Sequence, residues 1–301
     1  MSTIFIGMPA YNGERFIREA IESILSQTHA DWKLLISDDA STDNTAKIAQ
    51  EYTSRDRRIT YVRHPKNLGL FENFHFTLEK ADAPYFMWVA QDDVWEKDFI
   101  RTCLGYLESD PSLGLATTCN ATIDSFGRQV LESPWMTKLS GKPGVLQVAK
   151  HVLDPEGLGK CNLMYSIFRI DAVKKTWEAY PQRNVWGQDY IFSLAAISRF
   201  GVAVDEKFLF KKRLGGFSSP QFDFADKRQQ VTELLSTNPK NHMFPFGRFK
   251  GYFDGHMEAL RGTPYRPLVA IILYARLPRS LLIHIRERNL KKFFKRIISR
   301  Q

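Results

Sequence analysis

Two short acidic runs and one later acid carry the residue types that could do chemistry. The first run is Ser37-Asp38-Asp39-Ala40-Ser41-Thr42-Asp43, with three carboxylates in six positions. The second is Ala90-Gln91-Asp92-Asp93-Val94-Trp95, directly after the apolar stretch Tyr85-Phe86-Met87-Trp88-Val89. Carboxylates in such a place can accept hydrogen bonds from a nucleobase or a ribose. They can also bind a hard divalent cation that keeps phosphate and water as its other ligands. Pro9-Ala10-Tyr11-Asn12-Gly13 adds a ring beside free backbone groups, a shelf for a base. Each run alone also fits an ordinary strand-to-helix turn, and Asp43 in particular fits an acid at a helix N-terminus.

The surrounding sequence decides whether these runs can meet. Apolar runs at Thr3–Met8, Trp32–Ser37, Ile59–Arg63, Tyr85–Val89 and Leu113–Cys119 read as strands. Between them, Arg15–Gln27, Thr42–Tyr52, Leu70–Lys80 and Asp98–Ser109 have helical spacing, with Ser41 or Thr42 expected to cap the second helix. Alternating strand and helix predicts an α/β chain with a Rossmann-like, mostly parallel sheet flanked by helices, which binds ligands at the carboxyl ends of its strands. All three runs fall at such ends. Residues 120 to 160 read as loops, Leu163–Ile170 as a strand, Asp189–Phe200 as a helix and Lys207–Lys212 as a short strand. The Gly215–Pro220 stretch marks an expected boundary.

Composition narrows the class. At 44% hydrophobic the chain can bury a full core. Three scattered cysteines, Cys103, Cys119 and Cys161, form neither a disulfide framework nor a zinc motif, which fits a reducing compartment. The N-terminus has no signal-peptide pattern. The formal charge of +9 is concentrated at one end: Phe246–Gln301 has 13 basic and 3 acidic side chains, while the rest has 29 and 30. A nucleic-acid enzyme would spread basic charge along a groove, so no nucleic-acid partner is expected. A basic tail fits an anionic membrane surface instead. Near the end, Leu290, Phe293, Phe294, Ile297 and Ile298 alternate with Lys291, Lys292, Lys295 and Arg296, the pattern of an interfacial helix or of a helix packed on the body with its lysines in water. The apolar run Leu268–Ala275 is far short of the roughly 20 residues of a bilayer span.

On these motifs the first 120 residues resemble the inverting family-2 glycosyltransferases of the GT-A fold. The matching stretches are Gly7-Met8-Pro9-Ala10-Tyr11-Asn12-Gly13-Glu14, Ile21–Thr28 with its Ser-Gln-Thr ending, Ile36–Asp43, and Gln91–Trp95. Asn67-Leu68-Gly69 with Asn73-Phe74 is similar to the rhamnosyltransferase-like members. The resemblance implies a catalytic domain over residues 1–220, with a nucleotide-sugar half (1–119) and an acceptor half (120–220), and a helical basic extension over 221–301. It implies that Pro9, Ala10, Tyr11, Asn12, Asp38, Asp39, Asn67, Asn73, Asp92 and Arg213 bind the nucleotide sugar. Asp93, with Asp92, would hold Mg²⁺ or Mn²⁺. Asp189 would be the general base, with Trp186 and Gln188 facing the acceptor. Relatives often have an acid where this chain has Ala90, and a Glu where it has Gln188.

The expectation is therefore an inverting, metal-assisted transferase. It would move a hexosyl or deoxyhexosyl group from a nucleoside diphosphate sugar to a glycan or lipid-linked acceptor in cell-surface polysaccharide synthesis. Its expected place is the cytoplasm, peripherally on the inner face of the cell membrane. A catalytically silent sugar-nucleotide-binding scaffold of the same fold is the alternative, kept open by Ala90 and Gln188. A nucleotidyltransferase would want a Gly- and Lys/Arg-rich phosphate loop, which Pro9–Arg15 does not supply.

Overall fold

A computed structural model describes residues 3–153, 160–180, 187–214 and 248–298. Strand β1 (Ile4–Ala10) lies between β2 (Trp32–Asp38) and β4 (Tyr85–Trp88), with β3 (Ile59–Arg63) outside β2, all parallel. Period-2 alternation divides the side chains between two cores. Ile4, Ile6 and Met8 face helices α1 (Ile17–Leu25), α2 (Thr45–Thr53) and α4 (Phe99–Ser109). Phe5, Phe86 and Trp88 face α3 (Leu70–Glu79) and, from the later chain, α6 (Ile170–Ala179) and α7 (Gln188–Ile197). A nine-residue helix such as α1 is marginal alone. Burial of Ile17, Ile21 and Ile24, at roughly 1.5–3 kcal/mol each, is what holds it.

The parallel run stops at β4. Strand β8 (Ile167–Arg169) inserts antiparallel between β4 and β6 (Leu113–Ile123), so the far half of the sheet is mixed. Beyond β6 come β9 (Gly201–Arg213), parallel to it, and the two-residue β5 (Val94–Trp95), antiparallel to β9. The expected short strand at 207–212 is thus the end of a thirteen-residue strand. The loops expected over 120–160 are largely ordered: β6 runs on to Ile123, β7 (Gln129–Ser133) pairs back on it, a 3₁₀ turn covers Pro134–Leu139 and α5 spans Val145–Leu153. The Pro and Gly residues there punctuate short elements instead of excluding them. Of the expected strand Leu163–Ile170, the first part is a 3₁₀ segment, Lys160–Tyr165.

The expected cap on α2 is also corrected. Asn44 is the N-cap and makes no side-chain cap bond. Asp43 does the capping work, with Oδ1 accepting from the Thr45 amide at 3.0 Å. Helices α8 (Phe249–Ala259) and α9 (Arg266–Ile298) share the second core through Tyr252, Ala259, Val269 and Leu273. The boundary expected at Gly215–Pro220 lies outside the described residues. So do Trp186 and the side chains that form the apolar and basic faces of 290–298. Among the described residues, no helix is long and apolar enough to cross a membrane.

The Ser26-Gln27-Thr28 ending of α1 has a physical reason. Gln27 Nε2 donates to the carbonyls of Ser23 and Glu96, and its Oε1 accepts from the Ile100 amide. Thr28 Oγ1 donates to Asp98 Oδ1. This short segment therefore fixes the chain just after Asp92-Asp93 and the start of α4.

Candidate active site

The carboxyl ends of β1, β2 and β4 open on a cavity of about 670 Å³, within the size range of small-molecule sites. Pro9, Ala10, Tyr11, Asp39, Asn67, Asn73, Ala90, Gln91 and Asp92 line it on the side of the parallel strands. Gln188 and Asp189, in the first turn of α7, line it from the other side. Phe71, Tyr165 and Tyr180 add aromatic wall, and Lys212 adds a cation.

The strand ends are tied to one another before any ligand is considered. Gln91 forms a two-way clamp on Tyr11, accepting its amide through Oε1 and donating from Nε2 to its carbonyl, both at 2.9 Å. The clamp leaves Gly13 no room for a side chain: an added Cβ would lie 2.3 Å from Gln91 Oε1. Gly13→Ala is therefore expected to push Gln91 off Tyr11 and weaken nucleotide binding about tenfold or more while costing about 1–3 kcal/mol of stability. Titration with nucleoside diphosphates and thermal melting check both.

Asn12 and Ala40 both take positive φ, 48° and 62°. Such backbone is costly for Ala, and its place at two adjoining strand ends marks a site over-determined by its surroundings. The two turns hold each other: the Asn12 amide donates to Ser41 Oγ, and Asn12 Oδ1 accepts the Thr42 amide. Asp39 orders the neighbouring loop, accepting the amides of Leu68 at 2.6 Å and Gly69 at 3.0 Å. A carboxylate has about four acceptor positions, so two remain for a ligand. Asn73 is buried and joins Ser37 in both directions, while Ser37 Oγ also meets His64 Nε2 at 2.9 Å. His64 is thereby part of this network.

Four of the sequence candidates do not line the cavity. Asn12 is spent on the turn contacts above. Asp38 is fully buried, with Oδ1 accepting the Ser41 amide and Oδ2 accepting the Tyr61 hydroxyl at 2.6 Å. Arg213, expected to bind the nucleotide sugar, is buried outside the cavity lining instead. Its Nε donates to the Asp92 carbonyl, Nη1 to the Asp124 carbonyl and Nη2 to Glu19 Oε2, and its guanidinium lies 4.6 Å from the Phe16 ring centroid. Asp93 is fully buried behind Asp92, with Oδ1 accepting the Arg213 amide at 2.8 Å and Oδ2 accepting Lys212 Nζ at 2.9 Å.

Burial dominates the electrostatics. It raises the Asp93 carboxyl to about 6, against the lowering effect of Lys212. Burial opposes the Lys212 ammonium too, but Asp93, Tyr165 and Asp92 outweigh it and hold its pKa well above the ordinary lysine value. At neutral pH both partners of the pair are charged. Burial likewise raises the Asp189 carboxyl, partly offset by the Tyr190 amide, which donates to Oδ1 at 3.0 Å. Asp189 is thus a carboxyl with raised proton affinity at the edge of a cleft, the property a general base requires.

Sequence reading passed over two residues of this site. Gln91 stood in the quoted motif, yet its clamp depends on a partner 80 positions away. Lys212 read only as the last residue of the expected short strand Lys207–Lys212. The aromatic wall gave no signal, because Tyr165 arrives on a 3₁₀ segment in a region without clear periodicity.

The glycosyl transferase family 2 model matches residues 5–175. The Bacillus subtilis glycosyltransferase TuaG, named for teichuronic acid biosynthesis, is 35% identical over 99 residues, 33% of this chain and 39% of that protein. The Escherichia coli chondroitin synthase is 32% identical over 127 residues, 42% of this chain and 18% of that protein. The dTDP-rhamnosyl transferase RfbG of Shigella flexneri is 34% identical over 105 residues, 33% of this chain and 36% of that protein. The chain thus spans less than half the length of these relatives. Among solved structures, S. aureus TarS 1–349 in complex with UDP-GlcNAc aligns with a TM-score of 0.59 at 16% identity, over 96% of this chain and 92% of that one. The Pyrobaculum calidifontis mannosyltransferase PcManGT in complex with GDP-Man and Mn²⁺ aligns with a TM-score of 0.57 at 14% identity, over 93% and 73%. At such identities the likeness speaks for the fold, which is GT-A.

Proposed function

The chain belongs to glycosyl transferase family 2, and from that premise we propose that it transfers a hexosyl or deoxyhexosyl group from a nucleoside diphosphate sugar to a hydroxyl of a glycan or lipid-linked acceptor, with inversion. One observation carries this reading: a single cavity has the strand-end loops around Tyr11, Asp39 and Asp92 on one side and the Asp189 carboxyl, with its raised proton affinity, on the other. Residues 1–220 are the catalytic unit in this proposal and 221–301 an extension. The names of the relatives place them in teichuronic acid, chondroitin and rhamnosyl chemistry, which supports a role in cell-surface polysaccharide synthesis.

The roles follow from position. Pro9, Ala10 and Tyr11 form the base shelf, and the unused acceptor positions of Asp39 take a base N–H or ribose hydroxyl. Asn67 and Asn73 order that side of the pocket. Asp189 takes the proton of the acceptor hydroxyl as its oxygen attacks the anomeric carbon. The bond from that carbon to the diphosphate oxygen breaks, and its electron pair leaves with the diphosphate. Gln188 and Trp186 are the proposed acceptor contacts.

A divalent cation fits the donor set under one condition. Among the described residues, no group of three His, Cys, Asp or Glu side chains is placed to hold an ion. Asp92 at the cavity wall, backed by Asp93, offers the one or two carboxylates that suffice for Mg²⁺ or Mn²⁺ when phosphate oxygens and water complete the shell. When bound, the ion would supply charge stabilisation to the leaving diphosphate.

A panel of nucleotide sugars, assayed for transfer and hydrolysis with Mn²⁺ or EDTA on wild type and Asp189→Ala, tests the proposal. Turnover that requires both the metal and Asp189 is expected. Turnover indifferent to both would overturn the mechanism. Donor binding without any turnover would favour the silent scaffold, the reading that Ala90 in the cavity wall keeps in view.

The basic C-terminal end is proposed to hold the enzyme on the anionic inner face of the cell membrane, where a lipid-linked acceptor would be. Deleting the residues after Pro278 is expected to move the protein from the membrane to the soluble fraction. An unchanged distribution would refute the membrane role.

A further inference from the structure

Lys212 lines the cavity, as Asp92 does, and pairs with Asp93. Its Nζ donates to Asp93 Oδ2 at 2.9 Å and sits 5.1 Å from the centroid of the Tyr165 ring. The other Asp93 oxygen is taken by the Arg213 amide at 2.8 Å. Lys212 and Asp92 both line the cavity, whereas Asp93 does not. The ammonium therefore occupies the carboxylate that would otherwise be the second ligand of a divalent ion, and it carries the same sign of charge as that ion.

We infer that Lys212 is a built-in counter-cation that blocks Asp93 to metal until a nucleoside diphosphate arrives, so that metal and donor bind as one coupled event. The inference rests on the donor-site reading above and deepens it. Without nucleotide, an ion at Asp92 and Asp93 must displace or face the Lys212 ammonium. The diphosphate supplies the missing anionic oxygens for both cations at once. Coupling of this kind is reciprocal: whatever factor the nucleotide adds to metal affinity, the metal adds to nucleotide affinity.

The same pairing serves the transfer step. An ammonium held by a buried carboxylate and an aromatic face is already oriented when the diphosphate leaves. Lys212 therefore belongs to the diphosphate-binding side of the site. Arg213, next in sequence, positions the backbone below.

Mn²⁺ titration followed by electron paramagnetic resonance tests this on the full chain, for wild type and Lys212→Met, each with and without UDP. Wild type is expected to bind Mn²⁺ weakly alone and about tenfold or more tightly with UDP, within the usual range of coupling factors. Lys212→Met is expected to bind Mn²⁺ about tenfold more tightly than wild type in the absence of UDP, and to lose most of the enhancement by UDP. A merely structural lysine would give the opposite sign, since its loss would loosen the acidic pair. Nucleotide-free affinity that is unchanged or lower in a Lys212→Met protein with native circular dichroism overturns the inference. Should that variant fail to fold, wild type alone decides: equal Mn²⁺ affinity with and without a bound nucleotide overturns it. GDP and dTDP replace UDP if UDP does not bind. If none of the three binds wild type, the donor-site reading fails, while the nucleotide-free comparison still tests Lys212.

Discussion

Asp189→Asn is expected to lower the rate of sugar transfer by roughly 10²–10⁴-fold, the usual contribution of a positioned general base, with little change in nucleotide affinity. The carboxyl is in the first turn of α7, on the opposite side of the cavity from the proposed nucleotide shelf of Pro9, Ala10 and Tyr11. Asn keeps the size and the hydrogen bond from the Tyr190 amide but cannot take a proton. Burial raises the wild-type carboxyl, so its working form is the deprotonated one that burial disfavours. The rate should therefore rise with pH through a midpoint above the ordinary aspartate value of about 3.9 and then level off.

The same shift fixes the effect on stability. A carboxyl with a raised folded-state pKa adds stability that is complete below the unfolded value and is lost as pH rises through the folded one. At neutral pH the wild type has already lost it, so the neutral Asn should melt slightly higher than wild type there. In acid the difference should vanish. A variant that is both inactive and less stable at neutral pH would mark Asp189 as structural. Kinetic pH profiles and melting curves at acid and neutral pH separate the two.

Arg213→Met is expected to cost about 3 kcal/mol and to lower the melting temperature by roughly 6–12 °C. The guanidinium is buried and meets three acceptors from distant parts of the chain: the carbonyls of Asp92 and Asp124 and the carboxylate of Glu19. Met fills the volume but satisfies none of them, and each stranded buried carbonyl costs about 1–3 kcal/mol. Most of the loss comes from the carbonyls, because the Glu19 side chain is 51% exposed and its ion pair is screened. Glu19→Gln should accordingly be mild. Arg213→Lys should be nearly as damaging as Met, since a single ammonium cannot reach three acceptors spread around a planar fork. The loosened Asp92 backbone should also weaken nucleotide binding in the folded fraction. Unchanged melting of Arg213→Met would remove Arg213 from this role.

The contrast between Asp39 and Arg213 shows where sequence reading reached its limit. Asp39 follows a short, almost wholly buried apolar strand, and strand ends in a parallel sheet gather by topology alone. Its place at the cavity needed only the order of elements. Arg213 ends a strand whose length, direction and partners were not visible, because β9 pairs with β6 across the 77 residues between Ile123 and Gly201. The basic stretch Lys211-Lys212-Arg213 at the end of this strand is split. Lys211 forms an ion pair with Glu96, Lys212 reaches the cavity and Arg213 turns inward. Alternation along a strand determines such a split only after the faces of the sheet are known.

By itself, the sequence determined the parallel half of the sheet, the two cores on its faces, and the convergence of the Tyr11, Asp39 and Asp92 strand ends. These follow from local periodicity and from the rule that consecutive βα units wind the same way. Tertiary structure decided the rest. It inserted β8 antiparallel, carried Asp189 to the far wall, turned Asp38 and Arg213 into internal ties, and set Lys212 against Asp93. Each of those outcomes depends on which buried polar group finds a partner tens to hundreds of residues away. A sequence states that a carboxylate exists, but its role is fixed by the charge or hydrogen-bond donor that the fold brings to it.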